Sequence, residues 1–541
     1  MMKLRHLALP ALLLCASSMA CSAASDAGSD DDTTEDALTS LTARARTLKF
    51  DAYVYVSANA QDYEILSAIK HQNQSAFGAL RTADIGVNSR ELKDVDPATF
   101  VKSQVKVIDT SKAGDVGKTM MRVKYRYTDN ALVPKTMATR SGLTLAVLAG
   151  SYQNQSERIL KECTENGAHD REFQSSIWYV FNPSLSQCQS AITAEQKTID
   201  ADRKIIGTDT TKVALSEVNR LYVPVTLSLT RARNNGSASY PEYDRLYAGG
   251  VKPGRLVISM VNGKMADWAA GEEKESIDDD GYQMYWEGLQ EIFAARPGFK
   301  FLKTDPVEDL TSFTTASGKT YKVPGGIMDI MKWELDGAGW PAGVDYPKQR
   351  ELRVAAGKKL AKHWITFEAP VNVAIGGAAA KPVTIELNTY LEAESDSTPH
   401  KRAIKNSDIF VYNGHSYIGY GPLDPSRFTA ADFPSSYQIM FINGCVSYNY
   451  YEKDYIPLKQ GGTQNLDLVS NGLESWVNGS GPAMGRFVGS IINGKQSSYT
   501  DILKAAQFTG YGYAWGQDAL RVVDGELDNK YFPSKVKISV Q

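Results

Sequence analysis

The chain has 541 residues and a formal net charge of −3, with 43% apolar and 22% charged residues. That length exceeds one ordinary core and implies roughly two to four units at about 150 residues each. The balanced charge and the lack of a Lys/Arg cluster argue against nucleic acid as a partner, and past the N-terminus no apolar run reaches the roughly 20 residues that cross a bilayer.

Residues 1–20 read as a signal peptide. Lys3, Arg5 and His6 precede the apolar run Leu7–Cys15, and Ser18-Met19-Ala20 is a small-x-small cleavage site. Cys21 follows at once, as in a bacterial lipoprotein signal whose cysteine is acylated. Ser18 stands where that pattern usually has Leu, Val or Ile, so ordinary cleavage after Ala20 is the alternative. Residues 21–36 form an acidic, apolar-poor linker. The expected location is therefore the outer membrane or periplasm through a lipid anchor at Cys21, or secretion.

Export bears on the five cysteines. An oxidising compartment favours pairing Cys163 with Cys188, the alternative being two buried thiols. Either way Cys445 is left over.

In chain order, Ala37–Arg46 is expected to start as a short helix. Leu48–Val56, Val101–Ile108 and Met120–Tyr127 alternate apolar and polar residues as strands do. Gly142–Ala149, Ser175–Phe181 and Leu221–Leu229 are further strand candidates, and Ala191–Ile205 has helical spacing. Residues 37–245 thus read as a mixed, β-rich domain. Gly/Pro-rich punctuation near Ala248–Gly254 sets a boundary, and residues 246–541 form the second region. There Leu256–Val261 reads as a strand and Tyr282–Ala295 as a helix stopped by Pro297-Gly298. Gln349–Lys362 follows as a helix, then strands at Trp364–Phe367, Val371–Ile375 and Val383–Leu391. After Cys445 come a strand at Leu466–Val469, helices at Pro482–Ile492 and Ser498–Phe508, and an edge strand at Lys535–Val540.

Two apolar runs between these elements carry the chemistry. Asp408–Asn413 leads through Gly414 to His415, and Gln438–Asn443 leads through Gly444 to Cys445. Thirty residues separate the His from the Cys, enough for a crossover between parallel strands. Both side chains then lie at carboxyl strand ends, where open α/β sheets place their sites. A thiol with an imidazole in reach is a nucleophile and its base. The backbone N–H groups of Ser416 and Cys445 are the oxyanion donors this arrangement offers.

"DIFVYNGHS" followed by "IMFINGCVSY" resembles the caspase-like cysteine peptidases, the clan of caspases, legumain, clostripain, gingipains and separase. "TQNLDLVSNGLES" and "FVGSIINGKQSSYTDILKAA" follow as in its bacterial members, and the similarity covers residues 383–508. It implies an α/β fold, a three-layer α/β/α caspase-like sandwich, in the C-terminal half. It also implies a His415–Cys445 dyad hydrolysing peptide bonds, with an acidic group binding the substrate; Asp467 and Glu474 are the candidates, solvated surface carboxylates being the plain alternative. Here Ser416 follows the His where the family commonly has Gly, and Gly444 precedes the Cys where it commonly has Ala. The alternative function is a catalytically inactive caspase-like lipoprotein serving as a cell-envelope scaffold. A serine hydrolase built on Ser416 is a further alternative, although its surroundings are one residue too long for a nucleophile elbow.

No cofactor is required by this chemistry. Ser276, Asp278, Asp280 and Glu287, with Gly281, have the spacing of a calcium-binding EF-hand loop, though Ser276 replaces the usual Asp. Acidic residues ahead of a helix also suit its positive end. Gly114–Thr119 lacks the first glycine of a phosphate-binding loop.

Overall fold

The computed structural model describes residues 38–88, 95–165, 167–231, 238–266, 275–507 and 519–541. The signal peptide, Cys21 and the acidic linker lie outside them. Asp36–Gln541 forms one compact unit, a mixed α/β structure built on two large sheets.

The first strands are β1 (Thr39–Ser40), β2 (Ala43–Ser57), β3 (Gly86–Val87), β4 (Val101–Ile108), β5 (Lys118–Pro134), β6 (Gly142–Leu148), β7 (Lys212–Ala214) and β8 (Tyr222–Arg231). All but β1 make a seven-stranded sheet in the order β6-β8-β2-β5-β4-β7, with β3 on β5. Its spine is the long antiparallel pair β2–β5, from Ala43 opposite Pro134 to Ser57 opposite Met120. Leu48, Phe50, Ala52 and Val54 point inward while Lys49 and Asp51 face water, the period-2 pattern of a half-buried strand.

Two expectations fail here. Ala37–Arg46 is not helical: Thr39 and Ser40 pair with a strand near the far end of the chain, and Ala43 onward is β2. Ladder pairing and the β-branched Thr39, Thr42 and Thr47 outweigh a weak helical tendency. Ser175–Phe181 is not a strand: Gln174–Ser176 is a 3-10 turn and Ile177–Val180 a helical turn. A short apolar run does not distinguish the two states. Here it packs on the helix Asp62–Arg81, with Phe77 and Trp178 rings edge-to-face at 5.5 Å. A Cβ at Gly78 would come within 2.4 Å of the Trp178 carbonyl oxygen, so this close approach needs glycine.

The remaining strands are β9 (Arg255–Gly263), β10 (Lys300–Asp305), β11 (Ser312–Thr314), β12 (Thr320–Lys322), β13 (Trp364–Ile375), β14 (Lys381–Ala393), β15 (Ile409–Asn413), β16 (Gln438–Asn443), β17 (Leu466–Asn471), β18 (Arg521–Asp524) and β19 (Ile538–Val540). The second sheet runs β1-β18-β17-β16-β15-β9-β14-β13-β10, with β19 on β13. Its middle five strands, β14, β9, β15, β16 and β17, are parallel, and β18 and β13 close it antiparallel. The two strands expected at Trp364–Phe367 and Val371–Ile375 are one, β13.

Apolar side chains alternate between the faces of this sheet. Ile409, Val411, Ile439 and Phe441 join a core with the helices Asp280–Ala295, Ser480–Ile492 and Tyr499–Ala506. Phe410, Tyr412, Met440 and Ile442 join another with the helix Ser447–Tyr455 and with Phe77, Trp178 and Phe181 of the N-terminal sheet region. The boundary expected at residue 245 falls between β8 and β9, yet buried contact runs across it. Among the described residues no helix is long and apolar enough to cross a membrane.

Candidate functional site

Four neighbouring parallel strands end in the same dipeptide. β9 ends Asn262-Gly263, β15 Asn413-Gly414, β16 Asn443-Gly444 and β17 Asn471-Gly472. Asn413 is in register with both Asn262 and Asn443. The asparagines form a buried ladder along the carboxyl edge. Asn443 Nδ2 donates to Asn413 Oδ1 at 2.9 Å, and Asn471 Nδ2 donates to Asn443 Oδ1 at 3.1 Å. Arg521 of β18 closes the row, donating to Asn471 Oδ1 (2.9 Å) and Asn443 Oδ1 (3.1 Å). Buried amides persist where each finds partners; at the other end the Asn262 amide has none among the described residues.

The residue after each Asn-Gly leaves the same rim: Lys264, His415, Cys445 and Leu473. Adjacent strands lie about 4.8 Å apart, so His415 and Cys445 depart from neighbouring points. The glycines keep this rim thin. A Cβ at Gly444 would sit 3.3 Å from Gly414 O and 3.7 Å from Ser416 N, and one at Gly263 3.2 Å from Gly414 Cα. The backbone nitrogens proposed as oxyanion donors therefore belong to segments in contact.

Cys445 stands on a sharp strand-to-helix turn. β16 ends at Asn443, and the next helix starts at Ser447 with Val446 as its left-handed N-cap (φ 52°). Tyr417 and Ile418, after His415, also have positive φ (51° and 53°). For β-branched Val and Ile this conformation costs on the order of 1–3 kcal/mol, and such strain concentrates at functional sites. The turn is over-determined: Val446 N donates to Leu473 O (2.9 Å), and Ser447 Oγ bridges Ile442 O (2.7 Å) and Asn471 N (2.8 Å).

His415 and Cys445 are each only partly exposed as residues, and the Nε2 atom of His415 is buried. The His415 ring lies edge-on to Tyr417 at 5.9 Å, and its carbonyl accepts from Tyr412 OH at 2.8 Å. Cys445 is the free thiol among the described residues; its Sγ lies 3.5 Å from Ser475 O and 3.9 Å from Ser475 Oγ. Burial chiefly, and next the Glu474 carboxylate, push the thiol above its ordinary pKa, against weaker lowering by Ser475 and Arg81. The thiol is thus protonated at rest, and thiolate formation requires a base or a nearby positive charge.

The other candidates divide. Ser416 is buried, its carbonyl taken by Gly419 N (2.8 Å) and Tyr451 OH (3.0 Å). Glu474 lies on the turn after β17, at the same rim as Cys445. Asp467 does not. It is fully buried near the amino end of β17, four residues and about 13 Å from the carboxyl rim. There Tyr437, Tyr499 and Asn529 donate to it, so it is neither a substrate-binding group nor a solvated carboxylate. Residues of the calcium-loop reading are engaged within the protein. Ser276 and Asp278 form a 3-10 turn, both Asp278 oxygens take Arg350 (2.7 and 2.6 Å), and Glu287 accepts from Gln283. Asp279 caps the helix, its side chain accepting from Gly281 N at 2.8 Å. Among the described residues no three His, Cys, Asp or Glu are gathered to hold a metal. Cys163 and Cys188 are joined as a disulfide, with Cα atoms 4.6 Å apart.

Lys264, Arg521 and the asparagines 262 and 471 are the residues of this rim that the sequence reading passed over. For Lys264 and the two asparagines the signal is the repeated Asn-Gly after an apolar run; Arg521 carries no such mark. Comparison with family models, curated proteins and solved structures yields no match for this chain.

Proposed function

We propose that this protein is a cysteine peptidase of caspase-like type, with Cys445 as nucleophile and His415 as base. The observation that carries the reading is the parallel register of Asn413 with Asn443, from which the two side chains leave one rim in His-then-Cys order, as in that clan. Helices packed on both faces of a largely parallel sheet agree with the three-layer sandwich the resemblance implies.

In this mechanism His415 takes the Cys445 proton as the sulfur attacks a peptide carbonyl. The N–H groups of Ser416 and Cys445 hold the oxyanion. The imidazolium returns the proton to the leaving amine, and water then releases the acyl group from sulfur. The glycine-lined rim gives an extended peptide room to approach. In this reading export with Cys21 lipidated puts the activity at the outer membrane or periplasm, and export with the signal simply removed makes it a secreted enzyme.

One observation favours the inactive scaffold instead: the thiol is pushed up and packed beneath the N-terminal region. Labelling by an acyloxymethyl ketone separates the two. Modification of Cys445 that His415→Ala abolishes supports the enzyme; a thiol inert to the probe in the wild type and after removal of the N-terminal contacts supports the scaffold.

A further inference from the structure

We infer that Tyr412 is a positioning residue for the oxyanion site: its hydroxyl fixes the His415–Ser416 peptide plane so that the Ser416 N–H is aimed at the substrate oxygen. This rests on the peptidase reading and goes beyond it, to what sets the direction of a donor that no side chain carries.

Tyr412 lies on β15, three residues before His415. It is 1% exposed and belongs to the core shared with the N-terminal sheet region. Its ring turns forward along the chain, and the hydroxyl donates to His415 O at 2.8 Å. That path needs the glycine between them, because a Cβ at Gly414 would lie 2.5 Å from the Tyr412 hydroxyl oxygen. Burial chiefly pushes the Tyr412 pKa well above the usual tyrosine range, so the hydroxyl keeps its proton and remains a donor.

The His415 carbonyl and the Ser416 N–H belong to one peptide unit. That unit is trans, and in a planar trans peptide the C=O and N–H point in opposite directions. With the carbonyl held by Tyr412, the N–H is turned to the other side. Ser416 N also lies beside the exit of Cys445: a Cβ at Gly444, the residue before the thiol, would be 3.7 Å from it. Among the described residues neither the Ser416 N–H nor the Cys445 N–H donates to a protein group, although Ser416 is only 5% exposed. Buried backbone N–H groups seldom go unpaired. Two of them at one rim offer themselves to an oxygen from outside the chain.

A second hydroxyl supplies the comparison. Tyr451, on the helix that follows Cys445, is equally buried and donates to Ser416 O at 3.0 Å. That carbonyl belongs to the next peptide unit, Ser416–Tyr417, and Gly419 N shares it at 2.8 Å. The Tyr451 hydroxyl therefore does not set the direction of the Ser416 N–H.

The test uses the full mature chain beside Tyr412→Phe and Tyr451→Phe. The probes are the fluorogenic library peptide that the wild type cleaves fastest, the aldehyde of the same peptide, and iodoacetamide. Attack on the peptide or the aldehyde bonds sulfur to the carbonyl carbon, moves the C=O electron pair onto oxygen and puts the thiol proton on His415. Alkylation by iodoacetamide bonds sulfur to carbon and expels iodide, with no oxyanion. Tyr412→Phe should lower kcat by about tenfold to hundredfold with KM unchanged, and weaken aldehyde binding by the same factor. Alkylation of Cys445, read by peptide mass, should keep its wild-type rate, which also reports that the variant is folded. Tyr451→Phe should keep most of kcat. A kcat for Tyr412→Phe equal to the wild type would overturn the inference and leave the peptidase reading standing. Equal losses in the two tyrosine variants would do the same, assigning the hydroxyl to packing. So would alkylation that falls as far as kcat, assigning it to the thiol and its base. A wild type that cleaves nothing would sink the peptidase reading and the inference with it.

Discussion

Asn443 holds Asn413 and Arg521 at once: its amide nitrogen donates to Asn413 Oδ1 at 2.9 Å, while its oxygen accepts from Arg521 Nη2 at 3.1 Å. The side chain is almost wholly buried. Through it the ends of β15 and β16, and with them the exits to His415 and Cys445, are fastened to the closing strand β18.

Asn443→Leu should therefore be far more damaging than its similar size suggests. It leaves the Asn413 oxygen and two donors, Asn471 and Arg521, short of a buried partner, at about 1–3 kcal/mol for each group stranded. A fall in the urea midpoint corresponding to about 3 kcal/mol is expected. Asn443→Asp keeps an acceptor for Arg521 and should cost less. Equal midpoints for Asn443→Leu and the wild type would show that the ladder is not holding the rim.

Asp467 makes stability depend on pH. Burial pushes its pKa from 3.8 up to about 7, against the lowering effect of Tyr437, Tyr499 and Asn529. The folded state binds the proton more tightly than the unfolded chain. The group's contribution is full below pH 3.8 and is lost as pH rises through about 7. Asp467→Asn should remove most of that decline, which is several kcal/mol at most. Urea unfolding at acid and mildly alkaline pH checks it; parallel pH profiles for the two proteins would contradict the assignment.

His400 acts in the opposite sense. Burial lowers its pKa from 6.5 to about 4, opposed by Asp396; the ring is fully buried, 5.3 Å from that of Tyr412. The folded value is depressed, so the contribution is present above pH 6.5 and is lost as pH falls through about 4. Its ring-proton NMR signal should stay at the neutral position through pH 6.5. A midpoint at the ordinary value would place the ring in contact with water.

The Cys163–Cys188 bridge closes a separation of 25 residues, worth about 3 kcal/mol in the chain-entropy account. Replacing both by Ser should lower stability by that order. Adding reductant should bring the wild type to the same midpoint and leave the double variant unmoved.

Much of the second sheet was legible because its strands are continuous apolar runs, which buried parallel strands require. The His415 and Cys445 exits were legible for the same reason, each following such a run and an Asn-Gly. Asn262-Gly263 and Asn471-Gly472 carry the same mark but deliver no familiar reactive pair, so they drew no notice. Asp467 misled because a carboxylate in sequence gives no sign of being buried. The helix Asp62–Arg81 was missed because its inner face mixes Ile65, Ile69 and Leu80 with Gln72, Asn73 and Ser75, which blurs the apolar stripe. The Arg81–Glu474 pair joins points 393 residues apart, and no local pattern announces it.

The most direct measurement is hydrolysis of a fluorogenic peptide library by the mature chain, with Cys445→Ala and His415→Ala beside it. Both residues are only partly exposed, so the urea midpoint of each variant is measured beside its activity. The account predicts cleavage by the wild type and loss of turnover by at least about a thousandfold in each variant. Cleavage that survives in Cys445→Ala would contradict it, as would a wild type that cleaves nothing.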